Sequence, residues 1–158
     1  MTMPIQIRTY QQTDKERVLL IFESNCPKYF EKRDEADLLY FLENFADKNF
    51  MVVIKDQTIL GCGGHYVKHE KKQIGIAWVM FQKYSLGASE FSRVSREFFN
   101  TLLDRIGKEK LEYDILINTT QLLERTFNKL GFQTQRVIPS GFGKNLDHLV
   151  MRRKWNFE

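Results

Sequence analysis

A short apolar run, KQIGIAWVMF (Lys72–Phe81), leads through a polar stretch with one glycine, Gly87, into the longest amphipathic segment of the chain. That segment leads into a second apolar run, YDILIN (Tyr113–Asn118). Strand, helix and strand in this order join two neighbouring parallel strands by a right-handed crossover. The amphipathic segment carries Phe91, Val94, Phe98, Leu102 and Ile106 three or four apart, the spacing of one helix face, and Gly107 ends it. Ahead of the crossover, NFMVVIKD (Asn49–Asp56) and QTILGCGGHYVKHE (Gln57–Glu70) read as two strands joined by a tight polar turn at Lys55–Gln57. A second turn at His69–Lys72 returns the chain into KQIGIAWVMF. That stretch is an antiparallel meander, so any sheet holding both parts is mixed.

The flanks extend the pattern. IQIRTY (Ile5–Tyr10) alternates like a half-buried strand, and Thr13 with Glu16 forms a capping box ahead of a helix that buries Val18, Leu19, Ile21 and Phe22 and ends near Asn25–Pro27. KRDEADLLYFLENFADK (Lys32–Lys48) repeats the device, with Asp34 or Asp37 near its start and Leu38, Leu39, Phe41, Leu42 and Phe45 on the buried stripe. After the crossover, TTQLLERTFNKLGF is a short helix closed by Gly131. FQTQRVI (Phe132–Ile138) is then a strand, PSGFGKN a loop, and LDHLVMRRKW (Leu146–Trp155) a last strand. The predicted order is β-α-α-β-β-β-α-β-α-β-β, an α/β (mixed α+β) fold with a mostly antiparallel sheet of seven strands flanked by helices. With 158 residues, 42% of them apolar, and no repeat or linker, residues 1–158 form one domain.

Composition excludes several classes. A net charge of +4 is too small and too dispersed for a nucleic-acid face, though it favours an anionic small molecule. Cys26 and Cys62 belong to no metal-spaced cluster and read as reduced thiols, and no metal site is expected. IQIRTYQQTDKERV lacks the apolar core of a signal peptide, and no apolar run reaches the ~18 residues of a membrane span, so no membrane association and a cytoplasmic location are the expectation.

An apolar strand, a short loop with glycine, and a helix whose first amides face that loop make a site for a phosphate group, because free N–H groups and the positive end of the helix dipole both point there. Gly87 removes a Cβ and tolerates positive φ, so backbone can approach a ligand closely. A plain strand-to-helix turn satisfies the same pattern.

In this position, between the fourth strand and the third helix, the loop resembles that of the GNAT acyltransferase superfamily, and the resemblance covers nearly the whole chain. Members bind the pyrophosphate of coenzyme A on (Arg/Gln)-x-x-Gly-x-(Gly/Ala), which falls on Tyr84, Ser85, Leu86, Gly87, Ala88 and Ser89. Phe127, Leu130, Gly131 and Phe132 match the family's aromatic-x-x-x-Gly-Phe tail. A narrower resemblance, to a little-described bacterial branch, rests on Ala77-Trp78, on Thr119-Thr120-Gln121, and on Gly141-Phe142-Gly143 followed by Asp147. There are departures: Tyr84 replaces Arg or Gln, Ser85 and Ser89 replace glycines, and Glu90 places a negative charge in the first helical turn. Phe127 stands where many members have a proton-donating tyrosine, and Thr120 where asparagine is common.

The resemblance implies acetyl-coenzyme A as cofactor and direct transfer of its acetyl group to a primary amine of a small molecule or peptide. Backbone N–H near Met80 or Phe81 would polarise the thioester, with Thr120 and Phe127 also against the cofactor. The base candidates are His65, on the strand face opposite Tyr66, and Asp147; His69 and His148 lie in a turn and in the last strand. Glu31 falls in the region where family members gate the substrate, and Tyr29, Phe30, Tyr66, Trp78 and Phe142 would line the acceptor pocket. The competing reading is a non-catalytic member that binds an acyl-coenzyme A or a protein partner through the same cleft. A homodimer is compatible with such a fold, and no residue specifies one.

Overall fold

The computed structural model describes residues 4–83 and 85–157. Strands β1 (Gln6–Thr9), β2 (Phe50–Lys55), β3 (Thr58–Lys68), β4 (Gln73–Phe81), β5 (Asp114–Thr119), β6 (Gln133–Gly143) and β7 (Leu146–Arg153) form one sheet in the order β1-β2-β3-β4-β5-β7-β6. Helices α1 (Lys15–Ser24), α2 (Glu35–Asn44), α3 (Ala88–Gly107) and α4 (Glu124–Asn128) connect them. The pairing of β4 with β5 is parallel and all other pairings are antiparallel, as the crossover requires.

The sheet buries both faces, which is why its central strands read as continuous apolar runs rather than alternating ones. On β2, Met51 and Val53 join one core with Phe98 and Leu102 of α3, Phe127 of α4, and Ile115 and Ile117 of β5. Phe50 and Val52 point the other way, into a core with Val18, Ile21 and Phe22 of α1 and Leu38 and Leu42 of α2. Each fully buried aliphatic or aromatic side chain contributes about 1.5–3 kcal/mol.

Local starts and stops differ from expectation at three places: the first cap, the end of α2 and the stretch after Ile138. The reciprocal cap before α1 is made by Gln11 and Asp14 around a 3-10 turn, Gln12–Asp14, rather than by Thr13 and Glu16. The deciding interaction is tertiary. Arg8 of β1 donates from Nη1 and Nη2 to the two Asp14 carboxylate oxygens at 2.8 and 2.9 Å, while the Gln11 amide donates to Oδ2 at 2.8 Å. The cap before α2 is the same device at Glu31 and Asp34. Helix α2 stops at Asn44, so Phe45 leaves the buried stripe, stands 59% exposed and packs edge-on against Tyr40. The stretch expected as a loop after Ile138 belongs instead to β6. Its register against β7 breaks between Ile138 and Gly143, with Ser140 at φ 53°, and the turn shrinks to Lys144 and Asn145.

Arg8 and its hydrogen bonds hold the Asp14 carboxyl below the usual carboxylate range, against the opposing effect of burial. A depressed folded-state value contributes stability that is present above the unfolded pKa of ~3.9 and is lost as pH falls through the folded one. Asp14→Ala is therefore expected to cost about 1–3 kcal/mol near pH 7. In denaturant titrations the difference from wild type should shrink below pH ~4.

Candidate active site

Pairing between β4 and β5 covers Gln73–Gly75 against Asp114–Leu116 and then stops. Beyond Gly75 the two strands part. The edge of β4 that faces β5 from Ile76 to Phe81 therefore has no strand partner, and a cleft of about 1600 Å³ opens between them. On its other side β4 slips against β3: Gly64 pairs with Ala77 but Cys62 pairs with Met80, so Trp78 and Val79 together face Gly63. This is a β-bulge, which bends the strand that carries it. Trp78 sits within it at φ 51°, uncommon for a residue with a side chain.

The cleft begins at the loop between β4 and α3. Asn25, buried at the end of α1, donates through Nδ2 to the carbonyl of Phe81 at 2.9 Å and to that of Ile21 at 2.8 Å. The Lys83 amide donates to the hydroxyl of Ser24 at 3.2 Å, and Ser85 donates to the Gln82 carbonyl at 2.8 Å. The end of α1 thus fixes the loop, and α3 opens after it with Gly87 as its N-cap. Gly87 has φ −67°, so of the two properties of glycine it uses the missing Cβ and not the left-handed backbone. Around it a Cβ would meet nothing within 4 Å. The loop at that point borders open space at a helix N-terminus. Leu86 and Ala88 line the cleft, while Ser85, Gly87 and Ser89 stand beside it; Tyr84 lies outside the described residues. Glu90, expected to oppose an anion here, pairs with Lys55 of β2, whose hydrogen bond holds its carboxyl below the usual range. It is not among the lining residues.

Further along, Met80, Phe81, Thr120 and Phe127 line the cleft as expected. Thr120 is engaged as the cap of the turn before α4, its hydroxyl accepting from the Leu122 amide at 3.3 Å. Phe127 is buried, edge-on to Phe99 and Phe132. Trp78 and Phe30 lie with ring centroids 5.8 Å apart, backed by Phe22, and Tyr29, Tyr66 and Phe142 complete an aromatic lining. Phe142 stacks on His148 at 4.4 Å, and His148 Nε2 lies 2.7 Å from Asn118 Oδ1. Burial and then the charge of Arg136 push the His148 pKa down, so the ring is neutral at pH 7.

Two expected site residues have other duties. Asp147 does not line the cleft: its carboxylate accepts from the Ser140 amide at 2.9 Å, and its own amide donates to Gln121 Oε1 at 2.8 Å. Gln121 Nε2 in turn donates to the Asn145 carbonyl at 2.8 Å. These bonds brace the irregular β6–β7 hairpin that presents Phe142. Glu31 also lies outside the lining. Its carboxylate takes Arg33 Nε at 2.6 Å and presses on the backbone of Gly143, where any Cβ would collide with it.

His65 is the remaining candidate, and the one histidine among the described residues that line the cleft. Its side chain is wholly buried. Nε2 lies 3.2 Å from Glu109 Oε1, and Nδ1 is buried without a partner. Glu109, which also lines the cleft, follows the end of α3 and carries no sequence signal; neither do Asn25 and Asn118. His69, near the Tyr113 hydroxyl, lies away from the site. Among the described residues no group of three or more His, Cys, Asp or Glu could hold a metal ion, no helix is long and apolar enough to cross a membrane, and both cysteines are free.

No family model and no curated protein sequence matches the chain. Solved structures do. The chain is similar to Ard1 of Thermoplasma volcanium, with TM-score 0.75 and 16% identity over 95% of this chain and 97% of that one. It is similar to the ribosomal-protein-alanine N-acetyltransferase of Brucella melitensis, with TM-score 0.71 and 16% identity over 94% and 99%. It is also similar to the N-acetylglutamate synthase of Neisseria gonorrhoeae, solved with coenzyme A and N-acetyl-glutamate, with TM-score 0.67 and 15% identity over 99% of this chain. The chain spans 36% of the length of that synthase and nearly all of the other two. By topology and by superposition, the chain has the fold of the GNAT N-acetyltransferases.

Proposed function

We propose that the protein transfers an acetyl group from acetyl-coenzyme A to a primary amine of a small molecule or peptide. The observation that carries this reading is the parting of β4 from β5 beside an unobstructed helix N-terminus. A strand edge with no strand partner borders the cleft, and open space surrounds Gly87 beside it. The residues fit the cofactor. The amides from Ser85 to Ser89 would hold its pyrophosphate, Met80, Phe81, Thr120 and Phe127 would flank its arm, and the bound thioester supplies the acetyl group.

The chain's own groups supply the rest. The unpaired amides of β4 stabilise negative charge on the carbonyl oxygen in a site shielded from water. His65 accepts the proton lost by the amine at Nδ1, while Glu109 on Nε2 selects that tautomer and stabilises the cation formed. Phe127 has no proton to give, so a leaving sulfur would have to depart as thiolate, which a thiol pKa near ~8.5 makes acceptable. The aromatic lining of Tyr29, Phe30, Tyr66, Trp78 and Phe142 receives the body of the acceptor. The apolar Phe127 also favours a second reading, an acyl-coenzyme A binder without transfer, which predicts binding but no turnover.

Millimolar acetyl-coenzyme A should raise the melting temperature, with a stabilisation of about 2.7 kcal/mol at a hundredfold excess over Kd. Gly87→Val should abolish that shift at a cost of about 1 kcal/mol or less in the free protein, because its Cβ has room and only the N-cap preference is lost. An undiminished shift in that variant would refute the placement. With a panel of polyamines, arylalkylamines and lysine peptides, thiol release should detect transfer. His65→Ala should then lower kcat by about a hundredfold or more while leaving acetyl-coenzyme A affinity unchanged.

A further inference from the structure

The bulge in β4 contains a residue in an unfavourable conformation, and the way it is held points beyond the cleft itself. Trp78 adopts φ 51° with a full side chain, where glycine would be the ordinary choice. Its ring is wedged between Phe22 and Phe30, which anchors the side chain. Its carbonyl is held separately: Cys62 of β3, itself completely buried, donates from Sγ to Trp78 O at 3.3 Å. A carbonyl displaced from the ladder by a bulge needs another donor, and here a thiol is that donor.

In a planar trans peptide, the carbonyl of one residue and the amide of the next point in opposite directions. The Gln82 amide bonds to Leu60 of β3 and Met80 pairs with Cys62, so by the alternation of the ladder the Val79 N–H faces away from β3, toward the side where β4 has parted from β5, and Cys62 holds the carbonyl of that same peptide. That side is the cleft, and Val79 lines it. We infer that Cys62 is a positioning residue: by holding the Trp78 carbonyl, its thiol aims the Val79 amide at the thioester carbonyl oxygen, and so makes the site prefer acetyl-coenzyme A to free coenzyme A. The role rests on the proposed transferase reading. It selects Val79, where the sequence pointed to Met80 or Phe81. It also accounts for a cysteine at a buried position where no metal, disulfide or nucleophile is formed.

The test compares calorimetric Kd values for acetyl-coenzyme A and coenzyme A, because the two ligands differ only in the group that the Val79 amide contacts. The wild type should bind acetyl-coenzyme A about five- to tenfold more tightly, the effect of one hydrogen bond. Cys62→Ala should bring the ratio to about one while coenzyme A affinity stays within about twofold, and Cys62→Ser, whose hydroxyl can still donate, should restore the preference. If Cys62→Ala does not fold, Cys62→Val fills the space without a donor and takes its place. A ratio retained in the non-donating variant, both affinities reduced alike, or a wild-type ratio of one would each overturn the role of Cys62. Binding of neither ligand by the wild type would instead refute the transferase reading, and the inference with it.

Discussion

The structure depends on how soon β4 and β5 stop pairing. Three residue pairs join them, and the next residues of β4 already bend away through the bulge at Trp78 and Val79. β5 continues its own ladder with β7 over Ile115–Thr119. One strand is thus committed to each side of the gap, and neither can close it without losing the pairing it has. The apolar face of α3 packs across one side of the sheet and α1 and α2 cover the other, so the gap becomes a lined cleft inside two cores rather than a fault in one.

Around that gap, single polar side chains carry much of the organisation. Asn25 and Ser24 at the end of α1 hold the end of β4 and the loop after it, which couples the position of α1 to that of the loop before α3. Gln121 and Asp147 hold the β6–β7 hairpin from the far side. Arg8 and Asp14 fasten the first strand to the first helix. Each replaces a fluctuating connection with a few directed bonds, between near neighbours for Arg8 and Asp14 and across more than fifty residues for Asn25 and Ser24.

The element order, the mixed sheet and the crossover were legible, because continuous apolar runs and the three-or-four spacing of α3 come directly from which faces are buried. The glycine at the mouth of α3 was legible, and of its two properties the missing Cβ is the one the structure uses: open space surrounds it and its φ is ordinary. The first cap was misplaced because Gln11–Asp14 and Thr13–Glu16 overlap, and Arg8 on the preceding strand decides between them. PSGFG carries a proline and glycines yet continues β6, since an irregular register tolerates both, and only Lys144 and Asn145 are left as the turn. Asp147 looked like a site residue because it accompanies Gly141-Phe142-Gly143, and it serves that segment by bracing it. The pairing of His65 with Glu109 spans 44 residues, and the thiol bond of Cys62 spans a bulge; neither leaves a local pattern.

The contact between Glu31 and Gly143 has a consequence for how two distant segments are joined. The connection between α1 and α2 and the β6–β7 hairpin come from opposite ends of the chain, and they touch where one carboxylate lies directly on one backbone. The two segments are joined there by contact, not by covalent continuity. A side chain at position 143 would meet only the mobile end of Glu31, so the carboxylate would have to leave the hairpin backbone and the junction between the two segments would lose that contact.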